Sequence, residues 1–243
     1  MKIVHISDIH CSITPEFLPD MLSTAIEEIN KIKPDLVVVT GDLTLEGFPH
    51  EFHMVKNYLS KIKAEKLIGV GNHDYRSTGY LIVNKMFPRP TMIKKGNVVV
   101  FYLSTARPDR DFGEVGYRQA QSLEKELIKK HKNRFKVVTL HHHLVPVPDT
   151  GLEQNVVLDA GDVLKSLTNA KVDLVLAGHR HRPWKYNLNG MEIIHAGSVS
   201  CLRLRGFFKN SYNVINIRGK KVTAKLKIVG GEELNFEEVL ERD

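Results

Sequence analysis

Apolar residues in this chain come in short unbroken runs, and between those runs they recur at helical spacing. Residues 3–6 (Ile-Val-His-Ile) read as an opening strand. Thr14-Pro15 then supplies a cap and a first helical residue. Leu18, Leu22, Ala25, Ile29 and Ile32 repeat at a helical period, and Pro34 ends the repeat. Residues 35–40 (Asp-Leu-Val-Val-Val-Thr) carry an apolar run without alternation, the pattern of a strand covered on both faces. Phe52, Val55, Leu59 and Ile62 mark a second amphipathic helix, and residues 66–70 a third strand. A β-α-β-α-β order predicts parallel strands joined by right-handed crossovers.

The middle is less regular. Residues 92–104 predict two strands around a turn at Lys95-Gly96-Asn97, and 105–117 form a polar loop. A helix is expected over 119–132, a strand over 135–140, a helix over 158–169 and a strand over 172–177. Four short strands then follow at 184–188, 191–196, 212–218 and 221–228, with tight turns at Asn189-Gly190 and Gly219-Lys220. The last dozen residues, rich in Glu, read as a surface helix or a frayed tail. No linker, repeat or low-complexity segment interrupts the chain, so residues 1–243 are expected to form one domain.

Five polar segments follow apolar runs directly. They are Asp8-Ile9-His10, Gly41-Asp42, Gly71-Asn72-His73-Asp74, His141-His142-His143 and Gly178-His179-Arg180-His181. In parallel α/β sheets ligands bind beyond the carboxyl ends of the strands, and all five segments occupy that position. Residues two apart in extended chain point the same way, so Asp8 and His10 can reach one metal, and His179 and His181 repeat that spacing. Asp42 has two oxygens and can bridge two cations. Asn72 adds a neutral carbonyl oxygen. Mixed imidazole and carboxylate donors suit Mn, Fe, Co, Ni or Zn better than Ca or Mg. Two such cations ~3.5–4 Å apart acidify a bridging water into a hydroxide that attacks phosphorus, and they offset the charge that builds in the transition state. His73 directly follows Asn72 and is poorly placed to bind the same metal. That makes it the candidate general acid, with Asp74 fixing the local loop.

Any one of these segments is common in ordinary loops; all five in order, each after a strand, are not. Together they resemble the calcineurin-like metallophosphoesterase superfamily, whose marks are D-x-H, G-D, G-N-H-[DE], H and G-H-x-H in that order. The likeness spans residues 8 to 181, and residues 33–42 and Ala196-Gly197-Ser198 follow the same habit. The resemblance implies an α/β fold, a four-layer α-β-β-α sandwich of two mixed sheets flanked by helices. It also implies two divalent transition-metal ions, Mn first, with Fe, Zn, Co and Ni as alternatives. Asp8, His10 and His181 would hold one ion, Asn72, His141 and His179 the other, and Asp42 would bridge them. It prefers His141 because the first histidine after the strand ligates in that family; His142 and His143 would orient ligands or touch substrate.

Composition narrows the class further. A hydrophobic fraction of 42% and a charged fraction of 26% are those of a water-soluble globular chain. No apolar run approaches the ~20 residues that span a bilayer, and no leader precedes the first strand, so the cytoplasm is the expected compartment. Two cysteines are too few for a disulfide framework; Cys11, next to His10, is a soft donor by type and a free loop thiol by default. Seven of the twelve histidines lie in the five segments. Of the others, His5 falls within a strand, His50, His53 and His131 fall on or beside helices and read as surface residues, and His195 precedes the Gly197-Ser198 loop. Arg76, Arg203 and Arg205 read as solvent-facing residues within reach of a bound phosphate. The formal charge of +7 favours anionic substrates.

About sixty residues follow His181 and are expected to complete the second sheet, where repair nucleases of the superfamily usually add a DNA-binding cap. Together with the His-His-His…Pro146 run, this organisation is similar to the cyclic-nucleotide and glycerophosphodiester branch. A small anionic phosphodiester is therefore the expected substrate. Nuclease action on DNA or RNA is the alternative, and a phosphomonoesterase or a non-catalytic scaffold ranks below it.

Overall fold

The computed structural model describes residues 1–88, 91–151 and 155–240. Two six-stranded mixed sheets carry the chain. The first has the order β12-β11-β10-β1-β2-β3, built from β1 (Lys2–Ile6), β2 (Leu36–Val39), β3 (Lys66–Ile68), β10 (Ser211–Arg218), β11 (Lys221–Ile228) and β12 (Glu233–Asn235). The second has the order β4-β5-β6-β7-β9-β8, from β4 (Met92–Lys95), β5 (Val98–Tyr102), β6 (Phe135–Thr139), β7 (Leu174–Ala177), β8 (Trp184–Leu188) and β9 (Met191–His195). β1, β2 and β3 run parallel, as do β5, β6, β7 and β9.

The strand pleat sorts the core into layers. In β5, Val98, Val100 and Tyr102 join a cluster that includes Val4, Ile6 and Val38 of the first sheet, while Val99, Phe101 and the following Leu103 pack with Leu123 and Leu127 of α4 (Tyr117–Lys130) and Leu167 of α5 (Ala160–Asn169). β7 divides the same way, with Leu174 and Leu176 on one side and Val175 on the other. On the first sheet, α1 (Pro19–Ile32) buries Leu22, Ala25, Ile26 and Ile29, and α2 (Pro49–Ser60) buries Phe52, Val55 and Leu59. This is the expected α-β-β-α sandwich. Among the described residues no helix is long and apolar enough to cross a membrane.

Several boundaries differ from the sequence expectation. α1 starts at Pro19, not at Pro15. Thr14 instead bonds Ser12, their hydroxyl oxygens 2.9 Å apart, and Phe17 buries its ring against Tyr58, which leaves Pro19 to set the first turn. α3 (Gly79–Met86) was not expected; it is two turns long and packs Ile82, Val83 and Met86 against the first core cluster. Of the residues after His181, β8 and β9 join the second sheet, whereas β10, β11 and β12 extend the first. The tail is not a loose end: Phe236 and Val239 of α6 (Phe236–Leu240) are buried in the core cluster, while residues 241–243 lie outside the described ones. His131 is 2% exposed and packs edge-on against Phe101, so it is not a surface residue.

Strands β2 and β3 release the chain into a crowded space. Gly41 adopts φ +111°, and a Cβ there would lie 2.8 Å from His141 Nδ1 and overlap Gly71. Gly41→Ala should therefore cost about 3 kcal/mol from backbone strain and overpacking. Thermal unfolding should show a fall in Tm of about 6–12 °C.

Candidate active site

The five segments meet at one edge between the sheets. Asp8 lies two residues beyond β1, Asp42 three beyond β2, Asn72 four beyond β3, His141 two beyond β6 and His179 two beyond β7. Asp8, Asp42, Asn72, His10, His141 and His181 are all buried.

The donors converge in two neighbouring groups. His10 Nε2 lies 2.8 Å from His181 Nε2, and these nitrogens are 3.9 and 3.5 Å from Asp8 Oδ1. His141 Nε2 and His179 Nδ1 each lie 3.1 Å from Asn72 Oδ1. Asp42 Oδ2 sits between the groups, 3.6 Å from His10 Nε2 and 3.3 Å from His141 Nε2. Ligand-type atoms of Asp8, Asp42 and His141 lie within 4.8 Å of one another, as do those of His141, His142 and His179 and those of His10, Asp42 and His73.

The convergence does not come from extended chain. Asp8, His10, Asp42, His179 and His181 have φ of 54°, 50°, 49°, 80° and 55°. All are left-handed, a conformation that costs a non-glycine residue about 1–2 kcal/mol. The loops hold these residues by hydrogen bonds. Asp8 N–H donates to Gly41 O at 3.0 Å, and His10 N–H donates to Asp42 O at 3.0 Å. Ser198 Oγ–H donates to Asp8 O at 2.7 Å, and Ser200 Oγ–H donates to Ile9 O at 3.0 Å. His179 N–H donates to the Asp8 carboxylate, 3.0 Å from Oδ2. A Cβ on Gly178 would come within 2.6 Å of Asp8 Oδ2, so only glycine lets this loop approach.

Electrostatics sort the imidazoles. Burial, followed by the nearby His73, holds His10 well below the usual histidine range; burial and His142 do the same for His179. Both rings are neutral and offer lone pairs. Burial also opposes charge on His141 and His181, but the Asp42 carboxylate lifts His141 to about 9, and hydrogen bonding to Asp8 and Cys201 lifts His181 to about 10. Positive charge is thus drawn to the spot between Asp8 and Asp42. The donor set fits divalent cations: buried carboxylates need a balancing charge, the imidazoles present nitrogen donors, and His179 Nε2 and His10 Nδ1 have no partner among the described residues.

Surrounding residues aim these donors. His141 Nδ1–H donates to Thr40 O at 2.9 Å, leaving Nε2 for the site. Asn72 Nδ2 donates to Asp111 Oδ1 at 3.2 Å, which turns Asn72 Oδ1 toward His141 and His179. His142 is anchored at both ring nitrogens. Its Nε2–H donates to Asp111 O at 3.1 Å, and its Nδ1 accepts from Thr105 Oγ1 at 2.8 Å. His143 Nε2–H donates to Gly178 O at 2.7 Å and braces the loop of His179. His73 Nδ1–H donates to Leu45 O at 2.6 Å, and its backbone N–H donates to Asp42 Oδ1 at 3.0 Å.

Asp74 accepts four hydrogen bonds, from Gly71 N (2.9 Å), Leu43 N (3.1 Å), Thr44 N (2.9 Å) and Thr44 Oγ1 (2.9 Å). Burial and the Asp42 charge push its carboxyl up to about 7, against the pull of those backbone donors. Because four donors converge on it, we read the group as carboxylate.

Arg76 lines the cleft over the site and bonds Glu46 Oε1 and Asp111 Oδ1, each at 3.0 Å. Asp111 had no signal in the sequence beyond membership of a polar loop. Cys201 was also missed: it, not Cys11, lies with His10 and His181, all three donor atoms within 4.8 Å of one another. His195 is fully buried, its ring 4.3 Å from that of His143. A cleft of about 620 Å³ opens over His10, Asn72, His73, His179 and His181, with Arg203 and Arg205 at its wall.

A family model described as Calcineurin-like phosphoesterase matches residues 1–183, and the chain belongs to that family. It is a hydrolase of phosphoester bonds. A probable cyclic nucleotide phosphodiesterase of Xenorhabdus bovienii is 22% identical over 85% of this chain and 89% of its own length. A 3',5'-cyclic-nucleotide phosphodiesterase of a Nostoc species is 24% identical over 82% of this chain and 78% of its own. The structure of a dimetal phosphatase from Danio rerio superposes with a TM-score of 0.72 at 14% identity, covering 97% of this chain and 98% of the other, a likeness of fold.

Asp74→Asn would turn an amide N–H₂ toward two of those four donors. It should cost about 3 kcal/mol, seen as a lower urea midpoint at unchanged slope.

Proposed function

We propose that this chain is a two-metal phosphodiesterase acting on small-molecule phosphodiesters, cyclic nucleotides or close relatives. The observation that carries the reading is Asp42 Oδ2, placed 3.6 Å from His10 Nε2 and 3.3 Å from His141 Nε2, between two donor groups. Asp8, His10 and His181 would hold one ion, Asn72, His141 and His179 the other, and Asp42 both. Bound divalent ions supply Lewis acidity and a nucleophile at neutral pH. Four imidazoles among seven ligands suit Mn, Fe, Co, Ni or Zn, with Mn²⁺ the first to test.

The chain's own residues do the rest. His179 N–H holds the Asp8 carboxylate and His73 N–H holds Asp42, so both carboxylates keep their orientation as substrate arrives. His73 is the general acid. Leu45 O fixes its Nδ1–H, so Nε2 is the atom that delivers a proton to the leaving oxygen. The relatives named as cyclic nucleotide phosphodiesterases support a diester substrate. The net charge of +7 favours a second reading, cleavage of nucleic acid. A panel of 3',5'- and 2',3'-cyclic nucleotides, glycerophosphodiesters, mononucleotides and single-stranded DNA with Mn²⁺ separates the two. Activity confined to DNA and falling steeply with salt would favour the second.

Asp42→Asn should lower kcat/KM on bis-p-nitrophenyl phosphate on the order of 10³-fold, with weaker occupancy of both ions by calorimetry. Near-normal activity would refute its bridging role. His73→Ala should slow esters with poor leaving groups by about 10²–10⁴-fold and p-nitrophenyl esters by less than about tenfold, because p-nitrophenolate leaves without a proton. Equal losses on both would remove His73 as the acid.

A further inference from the structure

We propose that Cys201 Sγ is a ligand of the ion held by His10 and His181, so that this position prefers a thiophilic cation over Mn²⁺. The inference rests on the two-metal reading above.

Geometry comes first. Donor atoms of His10, His181 and Cys201 all lie within 4.8 Å of one another, and all three residues are buried, Cys201 being 2% exposed. Cys201 also lines the cleft that exposes His10 and His181. Within the protein the sulfur meets His181, and the Arg203 N–H approaches it at 3.4 Å, a weak bond. His10, 2% exposed, has a Nδ1 without a partner among the described residues.

The thiol is also fixed in place. Cys201 N–H donates to Ser198 Oγ at 2.8 Å, and Asn210 Nδ2 donates to Cys201 O at 2.9 Å. Ser198 and Ser200 are in turn bonded to the backbone carbonyls of Asp8 and Ile9, within the segment that carries Asp8 and His10. Sulfur and imidazole are thus held by one hydrogen-bonded unit. Cys11 is the contrast. It is buried to the same degree, belongs to none of the donor groups among the described residues, and burial pushes its thiol up to about 12.

Binding would exchange the Cys201 S–H bond for an S–metal bond and release one proton to solvent. Thiolate is a soft donor and favours Zn, Cd, Co or Fe over Mn. The ion held by Asn72, His141 and His179 has no such donor, so the two positions would differ in metal preference.

The test uses the full-length protein stripped by chelator and titrated with Co²⁺. The expected result is visible d–d bands together with a near-ultraviolet sulfur-to-cobalt charge-transfer band. Cys201→Ser should keep the d–d bands and lose the charge-transfer band, whereas Cys11→Ser should keep both. The preference for Cd²⁺ over Mn²⁺ should fall about tenfold or more in Cys201→Ser. Cadmium NMR of the unaltered protein is a second readout that needs no variant: one resonance should lie well downfield of the other, as a sulfur ligand at one position demands. Cobalt d–d bands without charge transfer in the unaltered protein, or charge transfer that survives Cys201→Ser, would overturn the thiol inference alone. Absence of any cobalt d–d bands would overturn the two-metal reading and this inference with it.

Discussion

Two buried carboxylates, Asp8 and Asp42, set the terms for everything around them. Carboxylate charge removed from water is costly unless it is matched nearby. The chain matches it with N–H donors from His179 and His73, and with imidazoles that come within 3.3 to 3.9 Å. His141 and His181 are driven toward the protonated form by the same carboxylates that a divalent cation would satisfy better. The neutral rings of His10 and His179 complete the arrangement. The raised histidines thus follow from their carboxylate neighbours, and the lowered ones from burial beside other imidazoles.

The need to match those two carboxylates explains the strain at the strand ends. Five of the residues at this edge are non-glycine and left-handed. Such a density is tolerated because the surrounding contacts over-determine it: Ser198 and Ser200 hold the first loop, Asp74 holds the second and third together, and His143 holds the last through Gly178. The polar residues beneath the site are thus mostly fasteners. His142 and His143, adjacent to a donor in sequence, belong to this group.

Much of the fold was legible because each apolar run is short and each polar cluster follows it directly. The run at residues 36–39 and the glycine-aspartate after it could hardly be anything other than a buried strand with a loop at its carboxyl end. What was not legible depends on contacts across large sequence distances. Pro19 rather than Pro15 begins α1 because Phe17 is buried against the ring of Tyr58. Asp8 and His10 converge through left-handed backbone, which no residue pattern announces. Asp111 matters only because Asn72 lies beside it, 39 residues away in sequence. Cys201 and His195 sit in ordinary-looking text, and only the return of the chain through β9 and the loop after it brings them to the donors.

The seven donors are divided between the sheets. Asp8, His10, Asp42 and Asn72 follow strands of the first; His141, His179 and His181 follow strands of the second. A cation seated among them would act as a rivet through both layers. No single sheet can assemble the cage, so it exists only after the halves have docked, and occupancy would report on long-range assembly of the chain rather than on any local turn.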